Sequence, residues 1–152
     1  MPVPLREPGG LTLVDGPDLT GRDVHAIWTI RDVVFAVEQQ CDEPDPDVVD
    51  LQPTTSHLWL ADAAGITSYL RTYVSAAGVR RVGRVCTRKD ARGSGLSGSL
   101  MQHVLDRWGT ERIDLGAQAY LHDWYAGFGF VRDGEDYVEA GIPHVPMTRP
   151  PA

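Results

Sequence analysis

The chain has 152 residues, 42% of them hydrophobic, and a net charge of −7 at pH 7, which predicts one domain over residues 1–152 with a sizeable core and argues against a nucleic-acid partner. Its two cysteines, Cys41 and Cys86, exclude a disulfide framework and a CxxC metal site. With no apolar stretch near the ~18 residues of a membrane span, and no apolar signal-peptide segment in residues 1–10, we expect a cytoplasmic protein that does not bind a membrane. We expect no bound metal either.

The first half of the chain predicts four strands and one helix. A short apolar segment predicts a strand at Leu11–Val14, and a helical period of apolar residues runs from Leu19 to about Gln39. An acidic loop interrupted by prolines follows at Cys41–Pro53. Three further strands are predicted at His57–Ala61, Ile66–Val74 and Val79–Thr87.

The second half predicts two helices and four strands. A glycine-rich segment opens a helix that runs to about Trp108. The later elements are a strand at Arg112–Leu115, a short helix at Leu121–Ala126, and strands at Phe128–Val131, Tyr137–Glu139 and His144–Thr148. This order predicts an α/β fold, with a mixed central sheet and helices on both faces.

The glycine-rich segment is the strongest chemical signal. It consists of Arg92, Gly93, Ser94, Gly95, Leu96, Ser97 and Gly98. Its three glycines leave backbone N–H groups unobstructed, and the dipole of the following helix adds positive charge, so the segment is suited to binding phosphate. Six of the fourteen basic residues lie close by, at Arg80, Arg81, Arg84, Arg88, Lys89 and Arg92. This patch favours an anionic cofactor, although a solvated charged loop would have the same composition.

Two other phosphate-binding motifs fit less well. The pattern Gly93-x-Gly95-x-x-Gly98 matches a dinucleotide fingerprint, and Asp114 follows at the expected spacing. However, five residues separate the preceding strand from the first glycine, and the remaining chain is too short for the other units of a dinucleotide fold. The GxxxxGK[ST] pattern of nucleotide hydrolases does not occur. NAD-dependent redox chemistry is therefore disfavoured.

Two motifs together resemble the GNAT N-acetyltransferase superfamily. Arg92-Gly93-x-Gly95-x-Ser97 resembles its acyl-coenzyme A pyrophosphate loop, and the segment Trp124–Phe130 resembles its second signature, aromatic-Tyr-x-x-x-Gly-Phe. Four more segments resemble the ElaA-like branch: Val33–Gln39, Gly83–Val85, Leu115–Ala119 and Gly141–Met147. The resemblance extends from about Leu19 to Arg149. It implies the GNAT fold, with a sheet of about six to seven strands that is splayed between its two central strands.

The resemblance also implies acetyl-coenzyme A as co-substrate. The N–H groups of Gly93 to Gly98 would bind the pyrophosphate, helped by Arg92. The strand residues Val85, Cys86 and Thr87 would pair with the pantetheine arm, and the Val85 N–H would face the thioester oxygen. Gln118 would hold the pantetheine amides or the substrate. Ser97 departs from the superfamily, which usually has Gly or Ala there.

Catalytic roles are assigned by the same resemblance and by acid–base chemistry. Tyr125 is the candidate general acid, because a phenol of pKa about 10 can protonate a thiolate whose thiol has a pKa of about 8.5. An amine of pKa about 10.4 is charged at neutral pH, so it needs a base or a water chain. Glu38, His57 and His144 are the candidate bases, and each has a structural alternative. Cys86 is expected to be a small buried strand residue rather than an acyl carrier.

These assignments predict direct transfer of an acetyl group to a primary amine in a ternary complex. The acceptor would be a small molecule or a protein amine, and the acidic residues from Glu38 to Asp50 would either attract it or form a solvated loop. The alternative is a noncatalytic acyl-coenzyme A sensor or interaction module with the same fold. Pairing of two copies through the late strands is a further expectation.

Overall fold

A computed structural model describes residues 5–6 and 10–152. Within them, nine strands form one sheet: β1 Leu5–Arg6, β2 Thr12–Asp15, β3 Ser56–Asp62, β4 Gly65–Val74, β5 Arg80–Thr87, β6 Ile113–Gln118, β7 Val131–Arg132, β8 Tyr137–Glu139 and β9 Ile142–Arg149. Three α-helices accompany the sheet: α1 Gly21–Arg31, α2 Leu96–Trp108 and α3 His122–Ala126. Seven of the strands have three or more residues, in agreement with the six to seven that the family resemblance implies; the pattern along the chain had predicted eight.

The sheet opens between its two central strands. Its order is β1-β2-β3-β4-β5-β6-β9-β7, with β8 also paired to β9. Among the described strands only β5 and β6 run parallel, and their pairing stops after Arg80↔Ile113 and Arg81↔Asp114. Beyond that point β5 remains paired to β4 and β6 to β9, so the two central strands separate. The predicted mixed and splayed sheet is confirmed.

Helices cover both faces of the sheet. On one face α1 packs Ile27 and Ile30 against the buried aromatic residues Trp59 and Tyr69. On the other face α2 and α3 cover a larger core, to which they contribute Leu100, Met101, Val104 and Tyr125. Burial of these two apolar faces stabilises the fold and leaves the splayed edge free for a site.

The predicted helix Leu19–Gln39 starts two residues later than expected, and its last third is π-helical rather than α-helical. Thr20 caps α1, because its Oγ1 accepts from the Asp23 N–H at 3.1 Å and its own N–H donates to Asp23 Oδ2 at 3.0 Å. After Arg31 the chain continues as a π-helical segment, Asp32–Glu38. Such wide turns are frequent at functional sites.

The strand predicted at Phe128–Val131 begins later, at Val131. The N–H groups of Phe128 and Gly129 instead donate to Tyr125 O at 2.9 Å and to Ala126 O at 3.0 Å. These bonds close the turn that ends α3. The aromatic signature is therefore helix and turn, which places Tyr125 against the core.

Candidate active site

A cleft of about 820 Å³ opens where β5 and β6 separate. Loop 92–98, the free edge of β5, the end of β6, the π-helical segment and the β8–β9 hairpin all contribute to its lining. Every candidate catalytic and cofactor-binding residue predicted above lines it except two: His57 is buried elsewhere, and Ser94 directs its hydroxyl to Ala91 O at 3.1 Å. The tertiary fold thus brings together residues that are up to about a hundred positions apart.

The glycine-rich loop presents backbone donors to this cleft. Gly93 and Gly95 have φ of +86° and +79°, and a Cβ on either would meet no atom within 4 Å. The first hydrogen bond of α2 runs from Ser99 N to Gly95 O at 3.0 Å. The N–H groups of residues 96–98 therefore precede the internal bonds of the helix and can bind an external acceptor.

Ser97 does not obstruct this loop. Its Oγ lies 2.5 Å from Thr87 Oγ1 and 3.2 Å from Ser68 Oγ, so the side chain is directed to the sheet. The hydroxyl that departs from the family pattern joins the first turn of α2 to β4 and β5. Its backbone N–H remains at the helix start with those of Leu96 and Gly98.

The edge of β5 has unpaired backbone groups next to the loop. The register on β4 breaks between Tyr69↔Cys86 and Arg71↔Gly83, so Arg84 and Val85 have no partner there. Arg84 has a φ of +54°, which marks a β-bulge. Since the pairing with β6 has already ended, an extended chain can pair with this part of β5.

Cys86 lies beside this edge but its side chain is buried under α1, at 4% exposure. Burial raises the pKa of its thiol far above the usual range, so the thiol stays protonated. This environment suits the strand role that we expected for Cys86. It does not suit a nucleophile, which would need a thiolate.

Glu38 and Arg92 form a bidentate ion pair. Arg92 donates to both carboxylate oxygens of Glu38, at 2.6 and 2.8 Å, and its Nε donates to Thr87 O at 3.0 Å. The hydrogen bonds from Arg92 lower the pKa of the Glu38 carboxyl. The pair therefore joins a candidate base to a candidate phosphate ligand and anchors the π-helical segment to the loop.

Arg88 and Lys89, two cations of the basic patch beside the glycine loop, differ in their ion pairs. Arg88 is held by Asp62 at 2.6 Å and by Asp90 at 2.5 Å. Within the described part of the chain Lys89 is exposed and has no ion pair. Lys89 is thus the freer of the two cations.

Gln118 is held by a second amide. Gln118 Nε2 donates to Gln39 Oε1 at 3.1 Å, and Gln39 Nε2 donates to Gln118 Oε1 at 3.3 Å. This reciprocal pair connects the end of β6 with the end of the π-helical segment. It joins two walls of the cleft at the level where the central strands are apart.

Tyr125 presents a phenol with no hydrogen-bond partner among the described residues. Its ring packs edge-on against Trp124 and Phe130, with centroids 4.8 and 6.1 Å away. Burial raises the pKa of the phenol, so it is protonated at neutral pH. A fixed, neutral O–H that lines the cleft can donate to a group bound there.

The two candidate histidines occupy different environments. His144 lines the cleft; its Nδ1 donates to Ile142 O at 2.7 Å, which leaves Nε2 as the acceptor in the neutral ring. His57 is fully buried outside the cleft lining, between Tyr69 Oη at 2.6 Å and Asp50 O at 2.8 Å. Desolvation lowers the pKa of His57, whose contacts are structural.

The acidic loop is largely neutralised by arginines. Arg31 is fully buried and binds Asp45 at 2.6 Å and Asp50 at 2.7 Å. Arg71 binds Asp50 at 2.8 Å and Asp47 at 2.7 Å. Asp45, Asp47 and Asp50 are therefore fixed to the folded wall, whereas Asp42 and Glu43 are exposed, so most of the loop's charge is not free to attract an amine.

One aromatic residue that lines the cleft, Tyr137, was not among the predicted site residues. A Cβ on Gly116 would lie 2.0 Å from Tyr137 Oη, so the phenol of β8 occupies the space above this glycine of β6. The Tyr137 ring also stacks on His144, with centroids 5.3 Å apart. A glycine in the middle of a strand was the available signal, since it often marks close approach of another group.

Among the described residues, no three His, Cys, Asp or Glu side chains are grouped so that they could hold a metal ion. The same residues include no helix that is long and apolar enough to cross a membrane.

Comparison with known proteins gives the same family. Residues 36–150 match the family described as Acetyltransferase (GNAT) domain. The UPF0039 protein Rv2851c of Mycobacterium tuberculosis is 44% identical over 137 residues, covering 88% of each chain. Protein ElaA of Escherichia coli is 34% identical over 140 residues, covering 87% of this chain and 90% of ElaA.

The fold agrees with solved structures. The crystal structure of an acyl-CoA N-acyltransferase from Pseudomonas aeruginosa has a TM-score of 0.85 and 36% identity, covering 92% of this chain and 98% of that one. The crystal structure of Escherichia coli ElaA also has a TM-score of 0.85, with 30% identity, covering 92% of this chain and 98% of that one. The splayed sheet, the glycine loop and these likenesses lead to one conclusion: the chain belongs to the GNAT acetyltransferase family and is an ElaA homologue.

Proposed function

We propose that this protein transfers an acetyl group from acetyl-coenzyme A to a primary amine by direct attack in a ternary complex. The observation that carries the proposal is that one continuous cleft is lined by the glycine loop, the unpaired edge of β5 and Tyr125, whose hydroxyl has no partner among the described residues. A phosphate-binding end and a proton donor are needed at opposite ends of a thioester co-substrate. Both are present.

The residues of the cleft fit this co-substrate. Backbone N–H groups at the start of α2 would bind the pyrophosphate, and a charge-assisted hydrogen bond contributes about 1.5–3 kcal/mol. Arg92 keeps the loop in place while it is paired to Glu38. The unpaired backbone of Arg84 and Val85 would bind the pantetheine arm as an added strand.

The chain's own groups would handle the protons. Tyr125 would donate its proton to the leaving sulfur, because its phenol is neutral and has no competing acceptor. His144 would accept the amine proton at Nε2, whereas both oxygens of Glu38 are already bound by Arg92. The Val85 N–H would donate to the thioester oxygen, where negative charge develops during attack.

Thiol release against a panel of amines tests this proposal. We expect acetyl-coenzyme A to bind and free thiol to appear only when an acceptor amine is present. Calorimetric binding without thiol release for any amine would overturn the enzymatic reading and favour an acyl-coenzyme A sensor. Absence of binding to folded protein would overturn both.

A further inference from the structure

The cleft contains an arginine that the proposed chemistry does not use. Arg81 lines the cleft and is partly buried. The neighbouring Arg80 is directed to the opposite face, where it lies over the Trp108 ring at 4.5 Å and pairs with Glu111. Arg81 makes no hydrogen bond or ion pair within the described part of the chain. A partly desolvated guanidinium without a counterion is suited to bind an anion.

Two phenols next to Arg81 also lack partners. Tyr73 is its Cα partner on β4, and both side chains line the cleft. Tyr137 Oη lies over Gly116, two residues along β6 from Asp114, which is the Cα partner of Arg81. Neither hydroxyl makes a hydrogen bond among the described residues. Partial burial and Glu139 raise the pKa of the Tyr137 phenol, so it remains a donor.

This group of donors lies too far from the glycine loop to bind the phosphates of the co-substrate. Arg81 precedes Thr87 by six residues of β5, which corresponds to about 20 Å at the usual rise of a strand. The anion expected at Arg81 must therefore come from the other substrate. Because His144 stacks on Tyr137 at 5.3 Å, the anion and the amine would be only a few bonds apart.

Negative side chains lie elsewhere around the same part of the cleft. Glu43 is exposed in the lining and has no ion pair within the described residues. Glu139 is also in the lining, with Oε2 3.9 Å from His144 Nε2. The acceptor end thus offers cationic and anionic contacts together. A polyamine would satisfy only the carboxylates and would be repelled by Arg81.

We propose that the acceptor is a small amino-carboxylate, whose carboxylate binds Arg81, Tyr73 and Tyr137 while its amine faces His144. This inference rests on the proposed function and adds the chemical class of the acceptor. The guanidinium and the phenols would donate to the carboxylate. The acceptor amine would lose its proton as described above, so no further reactant is needed.

The test compares acceptors that differ only at the anionic group. A series of ω-amino acids of two to six carbons is paired with the corresponding amides and with diamines of equal length. We expect kcat/KM for at least one acid to exceed that of its amide by about 10–100-fold, as for a charge-assisted hydrogen bond. Arg81→Gln should raise KM for that acid to the value for the amide and leave KM for acetyl-coenzyme A unchanged.

Two further variants control for charge and folding. Arg81→Lys should keep part of the preference, because a cation remains. Arg107→Gln removes the same charge from an exposed position on α2 and should leave both KM values unchanged. Equal use of acids and amides, or equal loss of both in Arg81→Gln, would overturn the inference.

Calorimetry separates this inference from the proposed function. Titration of the same acids and amides into the protein requires no turnover. If an acid binds more tightly than its amide, and Arg81→Gln abolishes the difference, the carboxylate subsite is supported even when no thiol is released. In that case only the proposed acetyl transfer fails. Equal binding of acid and amide overturns the subsite.

Discussion

The two ends of the cleft are built from different parts of the chain. The proposed co-substrate end consists of backbone groups from one continuous stretch, from Gly83 on β5 to Gly98 on α2. The proposed acceptor end consists of side chains from β4, β5, the acidic loop, β8 and β9. A backbone site is encoded by a local motif and tolerates many side chains. A side-chain site depends on distant segments meeting, so it can change its ligand while the fold is kept.

Tyr125 is the candidate general acid, and its loss should have the largest effect. Tyr125→Phe removes the proton donor but keeps the ring packed on Trp124 and Phe130. We expect kcat to fall by about 10²–10⁴-fold with little change in the Kd of acetyl-coenzyme A, measured by thiol release and calorimetry. Tyr120, 75% exposed at the rim, is the matched control, for which Tyr120→Phe should change kcat by about twofold or less.

The wall of the acceptor end should depend strongly on Arg31. Arg31→Met removes a fully buried cation and leaves Asp45 paired only with Arg84 and Asp50 only with Arg71, so the free energy of unfolding should fall by about 3 kcal/mol. Denaturant titration would measure this loss. Arg107→Met, at an exposed position, should cost about 0.5 kcal/mol or less. Equal losses in the two variants would show that the ion pairs do not hold the loop.

The backbone end should be sensitive to a single methyl group. Gly95→Ala forces a Cβ into a left-handed conformation at φ +79°, which costs about 1–2 kcal/mol and displaces the free N–H groups. We expect the Kd of acetyl-coenzyme A to rise about tenfold. Gly78 has a φ of +78° and equally open surroundings in the β4–β5 turn, so Gly78→Ala should reduce stability without changing that Kd.

The smallest predicted effect is on the pH dependence of stability, through His57, the buried histidine outside the cleft. Burial keeps His57 neutral in the folded protein, so below about pH 6.5 the unfolded chain binds more protons than the folded one. The free energy of unfolding should therefore fall as the pH drops below 6.5, by at most about 1.4 kcal/mol per pH unit. His57→Gln should flatten this slope in denaturant titrations at pH 7 and 5.5. An unchanged slope would contradict the neutral, buried His57.

Secondary structure was predicted correctly where it depends on neighbouring residues in the sequence. The strands β3, β4 and β5 were placed within one residue of their observed starts, because apolar runs are bounded by turns. Errors occurred where a side chain or a turn redirects the backbone. The Thr20 cap delays the start of α1, the π-helical segment replaces its predicted end, and hydrogen bonds after α3 delay β7.

The same division applies to the site. The glycine loop and Tyr125 could be proposed from motifs, because their function depends on backbone conformation and on one short helix. The ion pair of Glu38 with Arg92 spans 54 positions, and the amide pair of Gln39 with Gln118 spans 79. No pattern of neighbouring residues predicts contacts between positions so far apart. Their effect is large, since pairing with Arg92 occupies the carboxylate of one candidate base.

The order of apolar and glycine residues alone indicated the fold class and a loop suited to phosphate, because periodicity and backbone freedom are properties of neighbouring residues. The family was indicated by the resemblance of two local motifs. Only the tertiary structure decided that the acidic loop is neutralised by Arg31 and Arg71, that His57 is a core residue, and that Arg81 has no counterion in the described part of the chain. Those outcomes depend on burial and on the distance between charges. Both are set by how the strands are ordered in the sheet.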